Sequence, residues 1–226
     1  MVFLREGCIA CGKCVEACPA IALELCGEEK TTAELFEIIH KDAHYYKVSG
    51  GGVTFSGGEC LLHPEFVAEI AKMCKDSGIH TAIESAFFVP WQNIETVLPY
   101  IDLFFVDLKI PDAEKHQAYT GSDNARILEN IRKLSERKHD IILRIPIIPG
   151  VNDSDDDIDA FSEIIKSFAD GIKEVELLKY NYLAESKYET VGMAYTKFSD
   201  TSQTPEVMKR IASAIAKKSN VNCYFV

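Results

Sequence analysis

Four of the eight cysteines in this chain crowd into one short stretch, Cys8-x2-Cys11-x2-Cys14-x3-Cys18, followed at once by Pro19. That spacing is the one by which bacterial cysteine runs bind a [4Fe–4S] cluster. Tight turns through Ala10, Gly12 and Lys13 can point the thiolates of Cys8, Cys11 and Cys14 at one cubane, and soft thiolates suit iron. Zinc is the competing reading, but structural zinc sites pair two separated Cys-x2-Cys knuckles. A disulfide framework does not fit, because Cys26, Cys60, Cys74 and Cys223 are scattered through a chain too long and too regular for a stapled mini-fold. In proteins with two such runs the fourth cysteine serves the other cluster. Only one run occurs here, so the fourth ligand stays open between Cys18, Cys26 and none.

A second set of chemically capable residues follows β-rich stretches. Val53–Phe55 leads into Ser56-Gly57-Gly58-Glu59, His80–Ile83 into Glu84-Ser85, and Leu103–Val106 into Asp107-Leu108-Lys109. Arg144 lies two residues before Pro146, ahead of Pro149-Gly150-Val151-Asn152-Asp153. Singly, each is an ordinary turn or cap residue. Four consecutive strands ending in polar groups instead predict a lined pocket, since ligands of parallel α/β folds gather at the C-terminal ends of strands.

The elements that must carry these residues read as alternating helix and strand. Thr31 or Thr32 can cap a helix running to Ile39, and Pro64 opens one that stops near Gly78. Strands are expected at 80–85, 103–108, 141–148, 175–180 and 223–226. Helices are expected from Trp91, through Ile127–Leu134, over Ile158–Phe168 and from Pro205. The near-continuous apolar strands predict burial on both faces. About six βα units fall short of a full eight-fold barrel, so the expected fold is α/β: a partial (β/α)6-type open barrel of parallel strands, with residues 31–226 as barrel and residues 1–30 as a short ferredoxin-like cysteine segment.

Smaller features receive modest readings. His40 and His44 stand four apart on a predicted helix, with a surface or capping role. Asp153 to Asp157 should cap the helix that follows. Trp91 and Cys74 read as packing groups, and Cys60, beside the expected pocket, as a further possible ligand. The net charge of −11 and pI near 5.0 argue against a nucleic-acid partner. No stretch has the length and apolarity of a membrane span and no secretory leader is legible, so the expected location is the cytoplasm.

In order and without large gaps, the chain from about Thr31 onward resembles the glycyl-radical-enzyme activating enzymes, pyruvate formate-lyase activase-like members of the radical S-adenosylmethionine (SAM) class. The resemblance rests on Gly50 through Glu59, Pro64-Glu65-Phe66, His80-Thr81-Ala82-Ile83-Glu84, Asp102 through Lys109, Lys115-His116-Gln117-Ala118-Tyr119-Thr120-Gly121, Arg144 through Asp153, and Ser186-Lys187-Tyr188-Glu189. A subgroup of that family inserts ferredoxin-like cysteine runs ahead of the glycine segment, which the N-terminal run matches, and Val2 through Cys8 is similar to the family's first strand.

The resemblance implies a [4Fe–4S] cluster that binds SAM, one-electron cleavage of SAM, and abstraction of hydrogen from a glycine of a partner glycyl radical enzyme. The electron would come from a donor such as flavodoxin or ferredoxin. By motif, Gly57, Gly58 and Glu59 would line the methionine part of SAM. Glu84, Ser85, Asp107 and Lys109 would form a polar shell near its carboxylate, around a monovalent cation, and Arg144 would add a fixed positive charge. Cys8, Cys11, Cys14 and Cys18 are the candidate iron ligands. The chain departs from the family pattern at several points. The family's Cys-x3-Cys-x2-Cys loop occurs nowhere in it. Cys60 stands for a proline, Ala86-Phe87 for a small-Gly pair, and Lys179-Tyr180-Asn181 for Pro-Tyr-His. These departures set two other expectations beside the activating one: a non-catalytic iron–sulfur electron-transfer or binding module, and an inactive, N-terminally truncated fragment.

Overall fold

The computed structural model describes residues 6–25, 27–183, 188 and 193–226. Val2–Arg5 of the strand-like segment, Cys26, and Ser186, Lys187 and Glu189 lie outside the described residues.

The architecture is a six-stranded, all-parallel open sheet in sequential order: β1 (Gly52–Phe55), β2 (His80–Ser85), β3 (Leu103–Asp107), β4 (Asp140–Pro146), β5 (Glu174–Leu178) and β6 (Cys223–Phe225). Among the described residues each strand pairs only with its neighbours in sequence, a partial barrel left unclosed. A short turn of helix, α1 (Lys13–Glu16), precedes α2 (Thr32–His40) and α3 (Ala43–Ser49). The connections carry α4 (Pro64–Asp76), α5 (Trp91–Val97), α6 (Ala113–Thr120), α7 (Ala125–Ser135), α8 (Asp155–Ser167) and α9 (Pro205–Ser219).

Local chemistry accounts for most boundaries. Thr31 accepts from the Glu34 amide while Glu34 reaches back to the Thr31 amide at 2.8 Å, a capping box that starts α2. Pro64 sits in the first turn of α4, where its missing N–H is no loss. Ser154 opens α8 with a second capping box completed by Asp157. Asp153 therefore lies outside the cap and accepts from the Gly150 amide instead, while Asp155, Asp156 and Asp157 put negative charge in the first turn. The helix expected to carry both His40 and His44 is broken at Lys41 and Asp42. The two rings thus belong to α2 and α3 and pack against Phe36 and Tyr45.

The strands are not buried on both faces. Along β3, half-buried Leu103, Phe105 and Asp107 alternate with buried Phe104 and Val106, and β4 opens in the same way at Arg144 and Pro146. The outward row (Ile83, Phe104, Val106, Leu143, Ile145, Val175, Leu177) lies under the helices with Ile94, Ile131, Phe161, Met208 and Ile215, forming the main core. The other row faces the concave side of the open sheet, which no strand among the described residues covers, and so keeps partial solvent access. Two packing expectations hold. Cys74 is fully buried beside Ile70 and Ile79, and Trp91 packs on the core with Lys133 and Arg137 each 5.6 Å from its ring.

The Gly50-Gly51-Gly52 run has a tertiary reason. A Cβ on Gly52 would stand 1.9 Å from the His80 carbonyl oxygen, so β1 can lie in register with β2 only if this residue has no side chain. Gly52→Ala is expected to destabilise the protein by about 3 kcal/mol, the upper end of the overpacking range, because the obstacle is backbone. Urea unfolding checks this; a variant as stable as the parent would show that β1 shifts freely.

Candidate active site

The residues expected to bind SAM all lie at the C-terminal ends of β1 to β4, apart from the four cysteines of the N-terminal segment. Glu59, after β1, accepts from the Leu61 amide (3.1 Å), the Ser85 hydroxyl (2.9 Å) and the Ala86 amide (3.0 Å). Its carboxylate thus ties the Gly57-Gly58 loop to the end of β2. Gly57, at φ +121°, and Gly58 are exposed beside that clamp, with nothing near either Cα that would exclude a ligand. Ser85 also accepts from the Phe87 amide at 2.9 Å.

Phe87 stands at a left-handed φ of +54°. This backbone is one that glycine adopts freely, and it costs an L-residue about 1–2 kcal/mol. The phenylalanine is tolerated because it is fully buried, edge-on to Phe104, with its carbonyl held by buried Asn130 at 2.9 Å.

Across the sheet, register aligns Asp107 with Arg144, Arg144 with Glu176, and Glu176 with Tyr224. The Arg144 guanidinium donates to Glu84 at 2.9 Å and to Glu176 at 2.5 Å, and stacks 4.1 Å from the centre of the Phe105 ring. Burial disfavours its charge, yet Glu176 first and Glu84 second outweigh that and raise its pKa. Tyr224 donates to the other Glu176 oxygen at 3.4 Å. Asp107 pairs with Lys109 at 3.2 Å. Burial pushes the Asp107 carboxyl above its ordinary range and Glu84 adds to this, while Lys109 and Arg144 oppose it. Behind these strands, fully buried Asn152 donates to the carbonyls of Lys109 (2.7 Å) and Pro146 (2.8 Å) and accepts from the Ile148 amide, latching the end of β3 to that of β4.

Glu59, Glu84, Asp107 and Glu176 together outnumber Lys109 and Arg144, so the mouth of the sheet favours a ligand bearing positive charge. Sequence reasoning missed Glu176 and Tyr224. The available signal was a lone carboxylate inside the apolar run Val175–Leu178.

A raised native pKa has a definite consequence at Asp107. Above its ordinary value of 3.8, the unfolded chain has released a proton that the native chain still holds. Through that window Asp107 makes stability fall as pH rises. Asp107→Asn is expected to remove this slope, which urea titrations at a series of pH values would measure; an unchanged slope would assign it to another group.

Cys60 is not placed to act as a thiolate ligand. Its half-buried thiol donates towards the carbonyls of Phe55 (3.5 Å) and Glu84 (3.9 Å), and burial, reinforced by Glu59, pushes its pKa up to about 12. The N-terminal thiols differ. Cys8, Cys11 and Cys14 are exposed, and the Cys18 sulfur accepts from the Ala22 amide at 3.3 Å. That amide, with those of Ala20, Leu23 and Ile21, lowers the Cys18 pKa and favours the thiolate a metal requires. Among the described residues no three His, Cys, Asp or Glu side chains converge closely enough to hold a metal ion. The fit to an iron–sulfur cluster therefore rests on donor chemistry and spacing. A cavity of about 480 Å³ at the opposite ends of β3 and β4 has charged groups in its lining that are already paired, Lys75 with Asp102 and Arg137 with Glu95. Among the described residues no helix is long and apolar enough to cross a membrane.

Comparison with known proteins agrees with this geometry. The profile of the Radical SAM superfamily matches residues 18–161, and that of the 4Fe-4S binding domain matches residues 1–22. The choline trimethylamine-lyase activating enzyme of Oleidesulfovibrio alaskensis is 37% identical, covering 96% of this chain and 81% of its own length. That match runs over 251 residues, more than the 226 present here, so the relative carries residues within the matched region that have no counterpart in this chain. The (2S)-3-sulfopropanediol dehydratase activating enzyme of Klebsiella oxytoca is 44% identical over 84% of this chain, which spans 61% of that relative's length. Among solved structures, a domain of a pyruvate-formate lyase-activating enzyme from Bacteroides vulgatus superposes with a TM-score of 0.64 at 31% identity, over 78% of this chain and 99% of that one. The fold is also that of Streptococcus suis SuiB bound to S-adenosylmethionine (TM-score 0.67, 14% identity, 90% of this chain and 44% of that one). On the extent of the superfamily match and the identity to these relatives, the chain belongs to the radical SAM superfamily and, within it, to the glycyl-radical-enzyme activating enzymes.

Proposed function

We propose that this chain activates a glycyl radical enzyme by reductive cleavage of SAM and abstraction of hydrogen from a glycine of that partner. The observation that carries the reading is the charged mouth of the sheet, where Glu84–Arg144–Glu176 and Asp107–Lys109 stand beside the glycine loop of Gly57 and Gly58. Its acidic surplus suits the sulfonium and ammonium of SAM, and a monovalent cation would meet the same acidic groups. Lys109 is the cation best placed for the SAM carboxylate. It pairs with Asp107 alone, whereas the charge of Arg144 is shared between two carboxylates. Gly57 and Gly58 let backbone approach the methionine part, and Glu59 and Ser85 hold that loop against β2.

Residues 1–30 form the iron–sulfur segment in this reading and residues 31–226 the barrel, with Cys8, Cys11 and Cys14 holding the cluster and Cys18 as an exchangeable fourth ligand that SAM would displace. When bound, cluster and SAM supply a one-electron reduction that generates a carbon radical able to take hydrogen from glycine. A small electron-transfer protein such as flavodoxin or ferredoxin would deliver the electron, and the cytoplasm, where thiols stay reduced, is the location this reading implies. Its acidity gives no footing for a nucleic acid, and no membrane partner is invoked.

Anaerobic iron–sulfur reconstitution followed by EPR of the reduced protein, with and without SAM, tests the proposal. A signal shifted by SAM is the expected result. A cluster indifferent to SAM would instead make the chain an electron-transfer or binding module, and absence of any cluster would contradict both.

A further inference from the structure

The Lys115–Gly121 motif contains a group to which the site above gives no task. His116, in α6, is only 3% exposed. Its Nδ1 lies 2.6 Å from the carbonyl oxygen of Ser122, which can only accept, so Nδ1 carries the ring proton. In that tautomer Nε2 is a bare acceptor. Nε2 is buried without a hydrogen-bond partner, the one such side-chain atom among the described residues. Buried polar groups are nearly always paired in native proteins, and an orphaned acceptor weighs against the fold unless something binds it.

The ring forms part of the wall of a cavity of about 190 Å³. Ala86, Phe88 and Ile127 give it an apolar lining, and Asp107 and Lys109 reach it from the end of β3. Arg126 stacks 5.0 Å from the Phe88 ring on the outer side. The combination is therefore a side-chain-sized hollow with mostly apolar walls, one unsatisfied acceptor, and a position directly beside the charged mouth.

We propose that this cavity is a socket for a neutral group that carries a hydrogen-bond donor, a hydroxyl or an amide N–H, on an apolar body, with His116 Nε2 as its acceptor. The acceptor excludes purely apolar occupants by leaving itself unpaired. The apolar lining disfavours a charged occupant, for which Asp107 and Lys109 already neutralise each other. Resting on the proposed function, the natural occupant is a donor-tipped side chain of the partner polypeptide next to the glycine presented at the mouth. His116 is thus a specificity-determining residue rather than a catalytic one.

Phenol and anisole, alike in body and differing in the donor, separate the alternatives on the protein labelled with ¹⁵N-histidine. The socket requires neither SAM nor a partner, so the measurement stands apart from the radical chemistry. Phenol is expected to move the His116 Nε2 resonance and to bind at least about tenfold more tightly than anisole, the worth of one neutral hydrogen bond to an otherwise unpaired acceptor. Ala86→Leu, which fills the hollow without touching the histidine, should abolish binding of both probes. His116→Phe should erase the preference for phenol. Equal affinity for the two probes, or phenol binding that leaves Nε2 unmoved, would mean that Nε2 accepts no hydrogen bond from an occupant, and the proposal would fall. Activating-enzyme chemistry could still be intact in that case, as the EPR response to SAM would show separately.

Discussion

Cys11→Ala is expected to take the reconstituted protein from about four irons per chain to almost none, because the central thiolate of a three-cysteine loop has no substitute nearby. Iron and sulfide assays with EPR of the reduced protein measure the loss directly. SAM cleavage, followed as release of 5′-deoxyadenosine, should disappear with it, since the electron has no other route. Cys8→Ala and Cys14→Ala should behave alike. Cys18→Ala provides the internal contrast. Its sulfur sits among backbone amides of residues 20–23 that favour the thiolate, so in the proposed reading it is the exchangeable fourth donor. Without it a cluster should still assemble on the other three, with one iron open and a stronger response to added SAM. Full iron content in Cys11→Ala would remove the N-terminal run from the cluster site altogether.

Arg144→Met carries the second large effect. Removing the guanidinium leaves Glu84 and Glu176 facing each other without their shared cation, and Glu176 has little access to water. Breaking a fully buried pair from one side costs about 3–5 kcal/mol. Glu84 is more than a third exposed, so solvent screening reduces the expected loss here to about 2–3 kcal/mol. For a chain of this size that corresponds to a fall in Tm of roughly 4–12 °C. The penalty should shrink at low pH, where the stranded carboxylates can take up protons. It should also be partly recovered in Arg144→Met/Glu176→Leu, since an apolar replacement for both partners leaves no charge behind. Arg144→Lys should not rescue the wild-type geometry, because an ammonium cannot span both carboxylates while stacking on Phe105. Thermal unfolding of the three variants decides the matter; a double variant no more stable than Arg144→Met would show that the loss comes from packing on Phe105 and not from unpaired charge.

The sequence by itself determined the order and type of nearly every element, because these depend on interactions within a turn or two. The Thr31–Glu34 capping box, Pro64 in the first turn of α4 and the β-rich runs that became β1 to β6 are all local features. The cysteine run is equally legible, since its spacing alone carries the chemistry. Helices α3 and α6 escaped notice because neither has a sustained apolar stripe: Ala43–Ser49 is short, and Ala113–Thr120 is mostly polar and buries His116 instead. Register and curvature needed the tertiary structure. An apolar run such as Leu103–Val106 reads as buried on both faces, and only the unclosed barrel leaves its inner row at the mouth. The same cross-strand register brings Glu176, 32 positions beyond Arg144 in the chain, into its hydrogen-bonding range. It forbids a side chain at Gly52 as well, and the packing of α6 leaves the Nε2 of His116 buried without a partner. Spacing along the chain encodes chemistry that neighbours perform together. Which distant charges meet, and which atom is left without a partner, is settled only when the strands align.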